Sequence, residues 1–175
     1  RIGYLPENTP LYEDITVKEQ LIFASRMHNL SKSKIKERLR WVVSVCGLEE
    51  KINQSITTLS KGFRQRVGIA QSMIHDPSLL ILDEPTSGLD PNQRLEIRKV
   101  IKALGENKAI LFSSHILSEV EAICDRVLII NKGKIVAQGT TDELKKQATR
   151  KSRIFVKVSD NHDKAVDVIK GISGI

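Results

Sequence analysis

Two acidic residues stand side by side at the end of a short aliphatic run, Ser78-Leu79-Leu80-Ile81-Leu82-Asp83-Glu84-Pro85. Such a run reads as a buried strand, and open α/β sheets bind ligands where strands of this kind end. Adjacent carboxylates at that place can divide the work of nucleotide hydrolysis, one ordering a magnesium ion and the other orienting or deprotonating the attacking water. Asp83 suits the metal and Glu84 the water. Taken alone, the pair is also what a strand running into an acidic turn looks like.

Upstream, Leu59-Ser60-Lys61-Gly62-Phe63-Arg64-Gln65-Arg66 is a small polar turn opening onto an amphipathic helix, with Val67, Ala70, Met73 and Ile74 on its inner face. The free N–H groups of Ser60, Gly62 and the residues after them, backed by the helix dipole, could hold a terminal phosphate. An ordinary helix cap has the same composition. Downstream, Pro85-Thr86-Ser87-Gly88-Leu89-Asp90-Pro91 is a tight loop ending in an N-cap aspartate and a first-turn proline. His115 follows the run Ala109-Ile110-Leu111-Phe112 across two serines, which puts it at the edge where Asp83 and Glu84 emerge. A histidine there can contact a γ-phosphate, whereas His28, His75 and His162 read as satisfied polar residues.

Short aliphatic strands alternate with amphipathic helices through the central part of the chain, which is the pattern of an α/β sheet. Leu79–Leu82, Ala109–Phe112, Val127–Ile130 and Ile135–Ala137 are too short and too continuously apolar for surface strands, so all are expected in the sheet core. Ile97, Val100, Ile101 and Leu104 mark one covering helix, and Ile116, Val120 and Ile123 a second. Between Val17 and Leu48 the patterns are only helical, with Leu21, Ile22 and Ser25 on one element and Ile35, Leu39, Val42 and Val43 on another. Thr140 with Glu143 forms a capping box for a short further helix. Composition shifts at Arg150-Lys151-Ser152-Arg153, after which a strand-like Ile154–Val158 and a helix-like Ala165–Ile169 read as the start of an accessory domain.

The chain has 175 residues, 40% of them hydrophobic, which suffices for one main core. Its aliphatic runs fall far short of a bilayer-spanning helix. Cys46 and Cys124 lack metal-type spacing and sit among aliphatic neighbours, as reduced core thiols do. The net charge of +7 raises nucleic acid or an anionic membrane as partners. Much of that charge lies in Lys32, Lys34, Lys36, Arg38 and Arg40, where no aromatic residues are interleaved for base stacking, so a solvated helix face is expected there.

Four blocks in order, Leu59-Ser60-x-Gly62-x-x-Gln65-Arg66, Leu80 to Glu84, Ser87-Gly88-Leu89-Asp90 and His115, resemble the ATP-binding cassette (ABC) ATPase family over roughly residues 1 to 148. The resemblance implies an α/β fold with a P-loop NTPase-type parallel sheet core and an α-helical subdomain. It divides the chain into the end of the Q-loop region (1–14), a helical subdomain with the signature motif (15–75), core (76–148) and an accessory segment (149–175). Asp83 then matches the Walker B magnesium ligand, Glu84 the catalytic glutamate and His115 the switch histidine. Ser60, Lys61, Gly62 and Phe63 fall in the signature loop that closes over ATP held by a second cassette, and Asp90 in the D-loop at the same interface. Glu7 stands where the family usually has a glutamine that senses magnesium and couples to the transmembrane subunits. A glutamate can still ligate that ion.

Lys61 replaces the family's usual glycine and Phe63 its usual glutamine; Lys61 either brings a cation to the partner's phosphate or faces solvent. No Gly-x-x-x-x-Gly-Lys-Ser/Thr occurs in the sequence. The expectation is therefore a cassette lacking its N-terminal strands and P-loop, cut from a longer parent. For that parent the resemblance implies hydrolysis of ATP with Mg2+, transmembrane permease subunits as partners, and a second cassette in a homo- or heterodimer. It also implies a cytoplasmic place on the inner face of the cell membrane and an exporter-like system, with no nucleic acid partner. The competing reading is a non-transport ABC ATPase acting on DNA or the ribosome, and a further one a catalytically dead module, against which Glu84 and His115 both weigh.

Overall fold

The computed structural model describes residues 2–148. They fall into two compact units divided after Cys124. The expected strand and helix at Ile154–Val158 and Ala165–Ile169 lie outside the described residues.

The first unit is built on three parallel strands, β1 (Ile2–Leu5), β2 (Leu79–Leu82) and β3 (Ala109–Phe112), in the order β1-β2-β3. The register pairs Leu5 with Leu82 and Leu82 with Phe112, so all three strands end level with one another. Helices α1 (Val17–Met27), α2 (Lys32–Val45), α3 (Lys61–Met73), α4 (Pro91–Gly105) and α5 (Leu117–Ile123) complete it. The starts of α1 to α4 have local chemical causes. Thr16 and Glu19 form a capping box on α1, and Ser31, Ser60 and Asp90 cap α2, α3 and α4 through their side chains.

Helix α3 lies under β1 and β2. Val67, Ile69, Ala70, Met73 and Ile74 are fully buried against Leu5, Leu80 and Leu82. The close approach depends on glycine at one point, because a methyl group on Gly3 would overlap the main-chain oxygen of Ser72. From the other side of the core, Ile97, Val100, Ile101 and Leu104 of α4 complete the packing.

The expectation that all the aliphatic strands are sheet core is corrected in two ways. Within the first unit, only alternate positions of β1 point inward, and Ile2, Tyr4 and Leu111 lie more than half exposed on the opposite face. Val127–Ile130 and Ile135–Ala137 do not join the parallel sheet at all. They form β4 (Val127–Asn131) and β5 (Lys134–Gly139), an antiparallel hairpin in the second unit. Lys132 and Gly133 turn the chain with positive φ at both positions, the conformation of a two-residue hairpin loop. Leu128, Ile129, Ile130, Ile135 and Val136 are exposed on it. Helix α6 (Thr141–Ala148) follows with the Thr140–Glu143 capping box formed in both directions.

The basic stretch of α2 is likewise not uniformly solvated. Arg38 is 7% exposed; its Nε and Nη2 donate to the Ile74 and Met73 carbonyls at 3.2 and 3.0 Å, and its Nη1 pairs with Asp76 at 3.2 Å. The guanidinium also lies over the ring of Trp41, 4.4 Å from its centroid. One member of the charged run thus closes the carboxyl end of α3. Cys46 is fully buried, and burial pushes its thiol up to about 12, where it is an inert core group.

Gly3→Ala should lower unfolding stability by about 2 kcal/mol or more, since the new methyl meets main chain that can yield only by shifting α3. Urea denaturation of the variant against the parent checks this.

Candidate functional site

Two backbone hydrogen bonds extend the ladders past the strand ends: Asp83 N–H donates to the Leu5 carbonyl at 2.8 Å and Ser113 N–H to the Leu82 carbonyl at 3.0 Å. The residues following each strand are therefore held beside one another. Pro6 and Glu7 leave β1, Asp83 and Glu84 leave β2, and Ser113 to His115 leave β3.

Glu84 and His115 meet directly, with His115 Nδ1 2.9 Å from Glu84 Oε2. The hydroxyl of Ser113 stands between the two acids: it donates to Asp83 Oδ1 at 2.6 Å and accepts from the Glu84 N–H at 2.9 Å. Glu84 is held at φ 45°, in the left-handed region that costs a non-glycine residue about 1–3 kcal/mol. The Ser113 bond to its amide is part of what holds it there. The Glu84 side chain is 20% exposed and that of His115 70%, so the imidazole lies at the open side of the pair.

The hydrogen bond that the imidazole donates to Glu84, and then the charge of Glu84, raise the His115 pKa above the ordinary 6.5, with smaller contributions of the same sign from Glu119 and Glu7. Because the folded value is raised, the stabilisation is fully present below the unfolded value. It is lost as pH rises through the folded one.

Glu7 reaches this edge from β1: Ser87 Oγ donates to its Oε1 at 3.3 Å. Thr9, two residues on, donates to Gln65 Oε1 on α3 at 2.7 Å. The segment that carries Glu7 is thereby tied to the helix that follows Ser60. A polar cleft of about 460 Å³ opens there, lined in part by Glu7, Thr9, Lys61, Arg64, Gln65 and Ser87.

The turn before α3 is more closed than its composition predicts. Ser60 Oγ accepts from the Phe63 N–H at 3.4 Å, so one N–H that could meet an anion is capped from within the turn. Lys61 is exposed, with its ammonium lying close to Gly88, whose φ is 68°. Gly62 is buried and packs against the Gln93 side chain of α4. Phe63 turns inward, its ring 5.5 Å from Lys51 Nζ and 5.2 Å from the Arg66 guanidinium. Asp90 uses Oδ1 to cap α4 at Gln93 N–H, 2.9 Å away. The structure thus brings Asp83, Glu84 and His115 into one cluster, with Glu7 on the loop after β1 and Lys61 at the start of α3, and leaves Phe63 facing the core.

Three residues at this edge lie outside the set read from sequence. Ser113 joins the acids, and Thr86 and Glu119 join the loops behind them, Thr86 Oγ1 donating to Glu119 Oε2 at 2.5 Å. The Ser113-Ser114 pair directly before His115 was the available signal for the first.

For a metal, the edge offers hard carboxylate oxygens on Asp83 and Glu7. Among the described residues no group of three or more metal-binding side chains forms. That donor set fits magnesium, which is held by one or two carboxylates together with phosphate oxygens and water, and does not fit an all-protein zinc or calcium cage.

Comparison with known proteins bears on the family of the chain. The family model described as ABC transporter matches residues 1–87. The ABC transporter ATP-binding protein YxlF of Bacillus subtilis is 42% identical over 146 residues, covering 83% of this chain and 50% of that protein. The ABC transporter ATP-binding protein NatA of the same organism is 40% identical, covering 82% and 59%. Among solved structures, CbiO1 of Clostridium perfringens, part of the ABC transporter complex CbiONQ, superimposes with a TM-score of 0.75 at 28% identity. That match covers 84% of this chain and 59% of that one. The chain belongs to the ABC ATPases and carries nucleotide-binding-domain sequence. It spans about half the length of the curated relatives it matches.

An NMR titration of the histidine rings should place the His115 midpoint above 6.5, and Glu84→Gln should bring it down towards that value. A midpoint unmoved by the substitution would show that the Glu84 contact does not form in solution.

Proposed function

We propose that the protein containing this chain is the ATP-hydrolysing subunit of an ABC transporter. The observation that carries the reading is the contact between Glu84 and His115 beside Asp83, at the level ends of three parallel strands, in a member of this family.

In this reading Glu84 holds and polarises the water that attacks the γ-phosphate, and its contact with His115 keeps the carboxylate fixed in direction. His115 contacts the γ-phosphate from the open side and holds Glu84 in place through Nδ1. Asp83, with Glu7, would hold the magnesium ion, which when bound neutralises charge on the phosphate oxygens. Ser113 donates to Asp83 Oδ1, which would steady the carboxylate that holds the ion. Ser60, Lys61, Gly62, Phe63 and Asp90 belong to the face that closes on a second cassette, homo- or heterodimeric, with the main chain of Phe63 rather than its ring contributing. For Lys61 to meet the partner's nucleotide, its ammonium has to leave Gly88.

Coupling to membrane subunits is supported by a groove of about 400 Å³ whose lining includes Leu11, Tyr12, Phe23, Ala24 and Met27, beyond the loop that carries Glu7. Tyr12 and Phe23 pack edge to face, and Met27 is 67% exposed. Among the described residues no helix is long and apolar enough to cross a membrane, so a permease partner would supply the spans. A cytoplasmic position on the inner face of the membrane, and an exporter-like system, belong to the same proposal. So does the division into a helical subdomain at 15–75 and a core at 76–148.

Glu84→Gln in the full-length protein should reduce ATP turnover at least about a hundredfold while leaving nucleotide binding in place. An unaltered turnover, measured by phosphate release, would remove Glu84 from its assigned role. A polypeptide limited to these 175 residues should bind Mg-ATP too weakly for calorimetry to detect, because the sequence holds no phosphate-binding Gly-x-x-x-x-Gly-Lys-Ser/Thr loop. Micromolar affinity in that experiment would overturn the expectation.

A further inference from the structure

Glu119 is the most deeply buried carboxylate at the strand-end edge, 1% exposed in the first turn of α5. A carboxylate is seldom withdrawn from water without a set of donors to compensate. Here the donors come from two different loops. Thr86, itself 2% exposed and two residues after Glu84, donates its hydroxyl to Glu119 Oε2 at 2.5 Å. Ser114, the residue before His115, donates to the same oxygen at 3.3 Å, and its own oxygen accepts from the Ile116 N–H at 3.1 Å. Among the described residues nothing donates to Oε1, which is also buried. All the hydrogen bonding of this side chain is therefore spent on the two loops that carry Glu84 and His115.

The surroundings show why such a link matters. Glu84 and His115 come from loops far apart in sequence, and the His115 side chain is 70% exposed. Ser113 restrains one side of the junction, through Asp83 and the Glu84 amide. Glu119 restrains the other, from beneath, by holding the residues that follow Glu84 and precede His115.

We infer that Glu119 is a positioning residue for the hydrolytic pair, bracing the loop after β2 against the loop after β3 through Thr86 and Ser114 so that Glu84 and His115 meet. The inference rests on the proposed ATPase reading for its effect on turnover, but not for its effect on the loops.

The test uses the full-length protein with Glu119→Ala, Glu119→Gln, Thr86→Val and the double variant Thr86→Val/Glu119→Ala. Thr86→Val keeps the shape and the Glu119 charge while removing the hydroxyl. Glu119→Gln keeps an acceptor oxygen for Thr86 and Ser114 while removing the charge. Thr86→Val and Glu119→Ala are each expected to lower kcat for ATP about tenfold or more. KM should stay within about twofold, since the loss lies in orientation and not in ground-state binding. The double variant should be no worse than the poorer single one, because both cut the same link. Glu119→Gln should recover most of the turnover.

Wild-type kcat in folded Thr86→Val or Glu119→Ala, or losses that add in the double variant, would overturn the inference. If Glu119→Ala does not fold, Thr86→Val decides alone. If the unmodified protein hydrolyses no ATP, the functional reading fails instead. Hydrogen exchange of the Glu84, Ser87 and Leu89 amides then decides for Glu119: faster exchange in Thr86→Val supports the brace, and unchanged exchange refutes it.

Discussion

The arrangement depends on β2 being paired on both sides by parallel strands in matched register. Parallel pairing sends the three chain directions the same way, and the level register means that each chain leaves its strand at the same height. The two hydrogen bonds just past the strands, Asp83 to Leu5 and Ser113 to Leu82, carry that alignment into the loops. Side chains far apart in sequence then need only one or two residues of loop to meet. Remove the register and no amount of loop chemistry would bring a carboxylate and an imidazole within hydrogen-bonding distance.

What the strands align roughly, hydroxyl groups align finely. Ser113, Thr86, Ser114 and Ser87 each bond a carboxylate at this edge, on Asp83, Glu119 and Glu7. A hydroxyl donates and accepts at once, so it can bridge an anion and an amide, as Ser113 does, without adding charge. Beside acids whose charges have work to do, that neutrality leaves their electrostatics to the groups they face. It also makes the edge stiff where it is covered and open where His115 stands.

Much of this was legible in the sequence because the relevant signals are local. Aliphatic runs of strand length, helical spacing of apolar residues and cap residues such as Asp90 and Thr140 specify elements whose neighbours are a few residues away. Asp83, Glu84 and His115 could be placed together because each lies within three residues of the end of such a run. The failures are all matters of pairing. Val127–Ile130 and Ile135–Ala137 look like core strands by composition, and an apolar run does not say whether its partner is parallel or lies across a two-residue turn. The Lys132-Gly133 turn was the overlooked cue. Arg38 reads as one more exposed cation in a basic helix until the carboxyl end of α3 is seen beside it. Thr86 and Glu119 are separated by a helix and a strand, and no spacing rule connects them.

The left-handed backbone at Glu84 sets two demands against each other. Glycine, asparagine or aspartate would adopt that conformation more readily and would favour folding at this position. None of them offers a carboxylate on a side chain long enough to meet His115 from the same backbone. Variation that relaxes the main chain there shortens or neutralises the acid, and variation that preserves the acid leaves the main chain tense. A site of this kind is one where adaptation towards a sturdier protein and adaptation towards a faster one must part.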